Sequence, residues 1–426
     1  MGSIIRDPDL APLGSRKIDW AATWSPVLNR VRGSLADDGS MKGRRVGVIL
    51  PLEPKTAYLA VMLAEAGAEV ALACPAPLVK DDVAAGLVER GVEVFARSDA
   101  SPEDERRFFS EVLARRPEVL VDDRAELIRM AHTTHPQALD ELRGATEQTT
   151  SGVRELRAMA REGALRIPCI AGNDARSKYL FDNRYGSGQS VVQGLLDATN
   201  LLMAGKVVVV AGYGWVGKGI ARRARGMGGR VVVAEVDPFA ALEAHHDAFD
   251  VEPLLEACER ADFVVTATGT RHALGLEHVE RLRDGAIVAN AGGIDDEVDM
   301  EGLRRRATEI RDARPPHVVE YVLAPGRSIF VVGGGRVVNL SASEGHPVEI
   351  MDLSFSVQAL AARHLLLHGE GLGPGLHPLP PEIDEEIARE KLQALGIAID
   401  RHTAEQEAFL SGWEPPREPG PGAAGP

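Results

Sequence analysis

Three glycines spaced Gly212-x-Gly214-x-x-Gly217 lie within KVVVVAGYGWVGKG, residues 206–219, where a valine-rich run passes directly into a helical stretch at residues 220–226. This spacing suits phosphate binding. Gly212 permits a tight turn, Gly214 lets backbone approach a pyrophosphate, and Gly217 lets helix and strand pack closely, so the phosphates rest on the amide-rich helix N-terminus. Glu235 closes the next valine-rich run, VVVAEVDP. A carboxylate at that point accepts hydrogen bonds from both adenosine ribose hydroxyls and repels a 2′-phosphate, which favours NAD over NADP. A glycine-rich turn alone is weak evidence. With a strand before it, a helix after it and an acid ending the next strand, it predicts a dinucleotide-binding Rossmann domain.

Elements that could position such a site recur along the chain. Short apolar runs at residues 46–50, 70–74, 92–96 and 119–121 alternate with helical patterns such as residues 55–66 and 80–90. A second series of strands is expected at residues 207–211, 231–234, 263–266 and 286–289, with one long connecting helix over residues 188–205. Strand–helix alternation of this kind means parallel βαβ units with helices on both faces of each sheet. At 426 residues the chain is too long for one core, and two doubly wound α/β domains are expected. The end, EPPREPGPGAAGP, is rich in Pro and Gly and reads as disordered unless a partner holds it.

The net charge of −15 argues against a nucleic-acid surface or a face for anionic membrane. Cys74, Cys169 and Cys258 are scattered, without disulfide or metal spacing, so no metal site is expected. No apolar run approaches the ~18 residues of a membrane helix. The N-terminus has a proline by residue 8 and no apolar signal core, so a cytoplasmic protein is expected.

The stretch NDARSKYLFDNRYGSGQS (residues 173–190) runs on to LLMAGKVVVVAGYGWVGKG and resembles S-adenosylhomocysteine hydrolases in order. HTTHPQ (residues 132–137), TEQTTSGV (residues 146–153) and NLSASEGHP (residues 339–347) resemble that family too. The resemblance implies a discontinuous substrate domain (residues 1–187 and 341–385), an NAD-binding Rossmann domain (residues 188–340), a C-terminal tail (residues 386–426), and a homotetramer or dimer. It also implies a cycle on a small-molecule nucleoside: oxidation of the ribose 3′-hydroxyl by retained NAD, loss of the C4′ proton, elimination at the 5′ carbon, water addition and re-reduction.

That chemistry needs a base for the hydroxyl proton, a role for a lysine crowded by other charges in a closed cleft. Lys178 matches the family's lysine, and Asp182 and Asn183 match its partners. Four residues is one helical turn, so Lys178 and Asp182 could share a face; read alone, they would be a surface ion pair. Asp123, in VLVDD, matches the aspartate of C4′ proton transfer, and His346 a histidine near the nucleoside. Asp123 stands at a strand's carboxyl end, where α/β ligands sit, with a helix N-cap as the alternative, whereas His346 read alone would be part of a turn. The resemblance further assigns Thr149, Thr150, Ser151, Asn183, Trp215, Val216, Thr268 and Asn339 to the cofactor, and Glu53, Lys55, Thr56 and Gln148 to the substrate.

The departures gather at one end of the site. Pro51 and Gly293 replace two histidines that serve the 5′ leaving group and the incoming water. Glu53 and Lys55 replace a threonine and a glutamate at adenine, and Gln148 replaces a glutamate at the ribose hydroxyls. Ser187 stands where many members have cysteine, and Ala240 where an asparagine touches the cofactor ribose. The C-terminal lysine and tyrosine are missing, with Arg417 a candidate for the lysine. Losing a positioned acid–base group costs ~10²–10⁴ in rate. The expectation is therefore an NAD-dependent oxidation–elimination–reduction enzyme on another nucleoside, such as an angustmycin-type dehydratase of nucleoside-antibiotic biosynthesis. Hydrolysis of S-adenosylhomocysteine with rearranged groups, with Glu53 as a candidate acid–base, and an inactive NAD-binding regulator are the alternatives.

Overall fold

A computed structural model describes residues 2–413. The tail at residues 414–426, expected to be disordered, and Arg417 lie outside the described residues.

Two sheets organise the chain. The first uses β1 (Arg45–Ile49), β2 (Glu69–Ala73), β3 (Glu93–Phe95), β4 (Val119–Asp122), β5 (Gly144–Glu147), β6 (Pro168–Ile170) and, from far down the chain, β15 (Gly375–His377). Their order is β15-β6-β5-β4-β1-β2-β3, and every pairing is parallel. The second uses β7 (Val207–Ala211), β8 (Arg230–Ala234), β9 (Asp250–Val251), β10 (Phe263–Thr266), β11 (Ala286–Asn290), β12 (Glu309–Arg314), β13 (Val318–Ala324) and β14 (Arg327–Val332). Here the order is β12-β13-β14-β11-β10-β7-β8-β9, parallel from β14 to β9 and antiparallel through β12, β13 and β14. The antiparallel flank was not legible in the strand–helix alternation.

Strand β7 reads VVVVA and is buried along its length, because helices cover both faces. Its alternate residues feed different cores: Val208 and Val210 join Ile220 and Leu195, while Val207 and Val209 join Val279 and Leu303. Each such buried valine contributes roughly 1.5–3 kcal/mol. The first sheet is likewise clothed, with Leu59 and Phe355 in one core and Phe108 and Ile128 in the other.

Both sheets reverse strand order once. In the first, β1 leads to β2 on one side and has β4 on the other; in the second, β7 has β8 and β10 as neighbours. A parallel sheet opens a crevice beyond the carboxyl ends of its strands at such a reversal. Pro51 follows β1, Asp123 follows β4, and Gly212 follows β7, so the fold places residues of chemical interest at both crevices.

Three expectations need correction. The helix expected over residues 188–205 runs Ser187–Thr199 and stops where Asn200 takes a left-handed φ of 55°, since asparagine tolerates that conformation and ends helices. The helix after the glycine-rich turn starts at Trp215, five residues earlier than expected. The expected boundary at residue 386 falls inside helix Pro381–Ala394, whose Ile387 is buried in the first core.

Asp352 ties this C-terminal helix to the body. It is 1% exposed, accepts hydrogen bonds from the backbone amides of Leu28 (2.8 Å) and Val27 (3.3 Å), and pairs with Lys391 at 2.8 Å. Removing one partner of a buried pair leaves the other desolvated and unsatisfied. Asp352→Ala should therefore lose about 3 kcal/mol of unfolding free energy; a urea midpoint equal to that of the unmodified protein would refute the anchoring role.

Candidate active site

The core of the site is a set of side chains gathered around one buried carboxylate. After a short helical turn, Arg176–Lys178, the chain widens into a π-helix, Tyr179–Gly186, and then resumes as the helix Ser187–Thr199. Stretches of π-helix are rare and cluster at functional sites. Lys178 and Asp182 do share a face, at 3.5 Å, but inside the protein at 5% and 2% side-chain exposure, so they are no surface pair.

Asp182 accepts from Ser354 Oγ at 2.6 Å and Gln148 Nε2 at 3.3 Å, and pairs with His346 Nδ1 at 2.9 Å. Burial alone would raise its proton affinity, but Lys178, His346 and the donated hydrogen bonds outweigh that and hold the carboxyl well below its usual range. An ionised Asp182 keeps the proton of His346 on Nδ1. Its Nε2 then faces Ser187 Oγ at 3.2 Å.

Lys178 Nζ donates to Asn183 Oδ1 at 2.5 Å and to Asn173 Oδ1 at 3.3 Å. Asn173 Oδ1 also accepts from Asn183 Nδ2 (3.0 Å) and from Thr150 Oγ1 (3.1 Å). Asn173 was not among the expected site residues, although it opens the family-like block at residues 173–190. Ser354 and Gln358, from helix Val348–His368, were missed as well. Gln358 donates to Gln148 Oε1 at 2.6 Å, so both ends of the Gln148 amide are engaged.

Gln148, Thr150, Lys178, Asp182, Asn183 and His346 line one cleft of about 170 Å³ between the two sheets, with Pro51, Glu53, Thr56, Asp123, Thr149, Val216, Gly293 and Asn339 also on its walls. Lys55, expected at the base, is not among the cleft's wall residues. It pairs with Glu53 at 2.7 Å, donates to the Glu344 carbonyl at 2.5 Å, and borders a neighbouring groove.

Asp123 follows β4 beside two fully buried carboxylates, Asp122 and Glu147. Burial raises the proton affinity of all three, and at Asp123 the cations of Arg124 and Lys178 partly oppose this. Glu147 accepts the amides of Arg124 (3.0 Å), Ala125 (2.9 Å) and Thr149 (2.9 Å), so it joins the Asp123 turn to the turn after β5. Glu147 and Arg124 carried no signal strong enough to single them out in the sequence.

The second crevice fits NAD. Gly212 has φ 98°, and a Cβ there would sit 2.6 Å from the Ala267 carbonyl oxygen. A Cβ on Gly217 would run into the Gly212 carbonyl, whereas one on Gly214 would meet nothing within 4 Å. That leaves open space before the N-terminus of helix Trp215–Gly226, as a pyrophosphate requires. Glu235 accepts the Tyr213 amide at 2.6 Å, so its carboxylate lies against the glycine turn. Thr268 is held by the buried Glu297, which accepts its amide at 3.0 Å and its hydroxyl at 3.2 Å. Ser151 Oγ and Asn339 Oδ1 are buried without a protein partner, and both belong to stretches expected at the cofactor.

Fold and site define a Rossmann-type, NAD-dependent enzyme whose cofactor domain faces a second doubly wound domain across a cleft. Residues 3–138 match the model of S-adenosyl-L-homocysteine hydrolase, and residues 183–345 match the NAD-binding domain of that enzyme. The S-inosyl-L-homocysteine hydrolase of Methanopyrus kandleri is 47% identical, over 96% of this chain and 97% of its own. The adenosylhomocysteinase of Pyrococcus abyssi is 48% identical over the same shares. The adenosylhomocysteinase of Aquifex aeolicus is 47% identical over 96% and 98%. The chain belongs to the S-adenosyl-L-homocysteine hydrolase family. Among the described residues, no helix is long and apolar enough to cross a membrane.

Gly212→Val should abolish NAD retention, because the branched side chain meets the Ala267 carbonyl and strains a backbone at φ 98°. The measurement is cofactor content after gel filtration. Full occupancy would place the pyrophosphate elsewhere.

Proposed function

We propose that this enzyme carries out sugar-hydroxyl oxidation, deprotonation of the adjacent carbon, elimination of a small leaving group and re-reduction on a nucleoside other than S-adenosyl-L-homocysteine, as in an angustmycin-type dehydratase. The observation that carries the reading is the contrast between the two ends of the cleft. At one end the Lys178–Asp182–His346 cluster is intact and hydrogen-bonded. At the other, Pro51 and Gly293 line the wall at the positions that resemble the family's two leaving-group histidines, and neither side chain can carry a proton.

Bound NAD supplies a hydride acceptor and later a hydride donor at the sugar carbon. Lys178 is the group for the hydroxyl proton, with Asn173 and Asn183 holding its Nζ in place. Asp123, across the cleft, is the group for the ring proton. Glu53 is a poor stand-in for the missing acid, because Lys55 holds its carboxylate at 2.7 Å. The polar atoms nearest the place of a Gly293 Cβ are Ser151 Oγ (3.5 Å) and Thr149 Oγ1 (4.0 Å), hydroxyls that are too weakly acidic to replace a histidine. The names of the relatives favour a second reading, hydrolysis of an S-nucleosyl-L-homocysteine.

Product mass decides between the two. Purified protein given a psicofuranosyl adenine should yield the alkene with loss of water, and given S-adenosyl-L-homocysteine should release little homocysteine. Hydrolysis in the ordinary enzyme range of ~1–10³ s⁻¹ would replace the dehydratase reading by the second one.

The pH dependence tests Asp123. It takes a proton only when ionised, and burial raises its proton affinity. Activity should therefore fall with decreasing pH through a limb lying above the usual carboxylate value of ~3.9. Asp123→Asn should retain reduction of bound NAD by substrate while exchange of the ring proton with deuterium slows by ~10²-fold or more. Equal loss of both steps would mean that Asp123 has no separate role.

A further inference from the structure

A second cavity, of about 270 Å³, lies behind the leaving-group end of the cleft. Leu50, Pro51, Asp123, Arg124, Val337 and Leu340 line both cavities and so form the partition between them. Arg124 is the charged side chain of this partition that spans the two domains: its Nη1 reaches Asp295 Oδ2, on the turn after β11, at 3.3 Å. Asp295 in turn accepts the Val337 amide at 3.4 Å. One ion pair and one backbone contact thus brace the partition from the cofactor side.

The backbone at this point is unusual. Arg124 has φ 64° and Ala125 φ 54°, two successive non-glycine residues in the left-handed region. A Cβ is disfavoured there, and residues so held concentrate at functional sites. The conformation persists because Glu147, fully buried, takes both amides on its two oxygens. Glycine would fit this turn without strain. A long charged side chain has been placed where the backbone favours none, and it ends between the two cavities.

We propose that Arg124, latched to Asp295, is a specificity-determining plug that shuts the second cavity off from the cleft and so excludes nucleosides with a long 5′ substituent. The inference rests on the reading of the Pro51 end as the leaving-group end, and it gives that reading a steric cause: the substrate is short because the room beyond its 5′ carbon is closed. Asp295 and Asp123 already face the guanidinium, which favours a neutralised latch over a free anion site.

The test compares affinities of the NAD-loaded protein for adenosine and S-adenosyl-L-homocysteine by calorimetry. Both ligands carry the same base and ribose, so the ratio isolates the 5′ substituent. Arg124→Gly should fold, since glycine accepts φ 64°, and should shift the ratio toward S-adenosyl-L-homocysteine by about tenfold or more. Asp295→Ala, which leaves the strained turn untouched, should shift it in the same direction by a smaller factor. A ratio unchanged in both variants overturns the plug. The dehydratase reading fails on a different measurement, the product mass from the unmodified protein, so the two failures are told apart.

Discussion

Asp182 is an ionised carboxylate taken out of water, and much of the site follows from what that demands. A buried charge is tolerated only when paired and hydrogen-bonded. Here the partners come from four places in the chain: Lys178 one turn before it, Gln148 after β5, His346 from the return to the first sheet, and Ser354 on the helix behind. Satisfying one carboxylate therefore aims a lysine and a histidine into the same cleft and locks the tautomer of the histidine. The π-helical widening at Tyr179–Gly186 lies in the segment that carries Asp182 and leads into the cofactor domain.

The cleft itself comes from topology. Each sheet reverses strand order once, and each reversal opens a crevice at strand carboxyl ends. The two crevices face one another, so a residue one or two steps past a strand, such as Pro51, Asp123 or Gly212, arrives at a crevice rather than at the outer surface. The glycine turn makes this demanding, because a Cβ at Gly212 or Gly217 would meet backbone. Close approach also joins the halves: a Cβ on Gly188 would strike Gly219, which seats the connecting helix directly on the cofactor helix.

Asp122 and Glu147 end the adjacent strands β4 and β5, Asp123 follows the first of them, and burial raises the proton affinity of all three. Asp122 and Glu147 are consumed by backbone amides, at Glu126 and Ile128 for the first and at Arg124, Ala125 and Thr149 for the second. Asp123 alone of the three faces the cleft. The two structural acids thus hold a strained turn in place and leave the third open to the cleft.

Chain order was enough to determine the α/β class, the eight principal strands and the glycine turn with its acid, whereas Lys178, Asp182 and Asn183 stood out only through the family resemblance. The class, the strands and the turn rest on local rules, namely apolar run length, glycine's freedom at positive φ, and fixed spacing along one stretch. The sequence left undecided whatever depends on partners far apart in the chain. Asn173, Ser354, Gln358 and Glu147 look ordinary in sequence, and tertiary contacts bring them to Lys178, Asp182, Gln148 and the Arg124 turn in that order. Lys55 looked like a base contact and is instead drawn aside by Glu53 and the Glu344 carbonyl. Arg124 shows the difference most directly: its place in a left-handed turn, gripped by a carboxylate 23 residues away and paired across the cleft 171 residues away, is set by packing that no local pattern encodes.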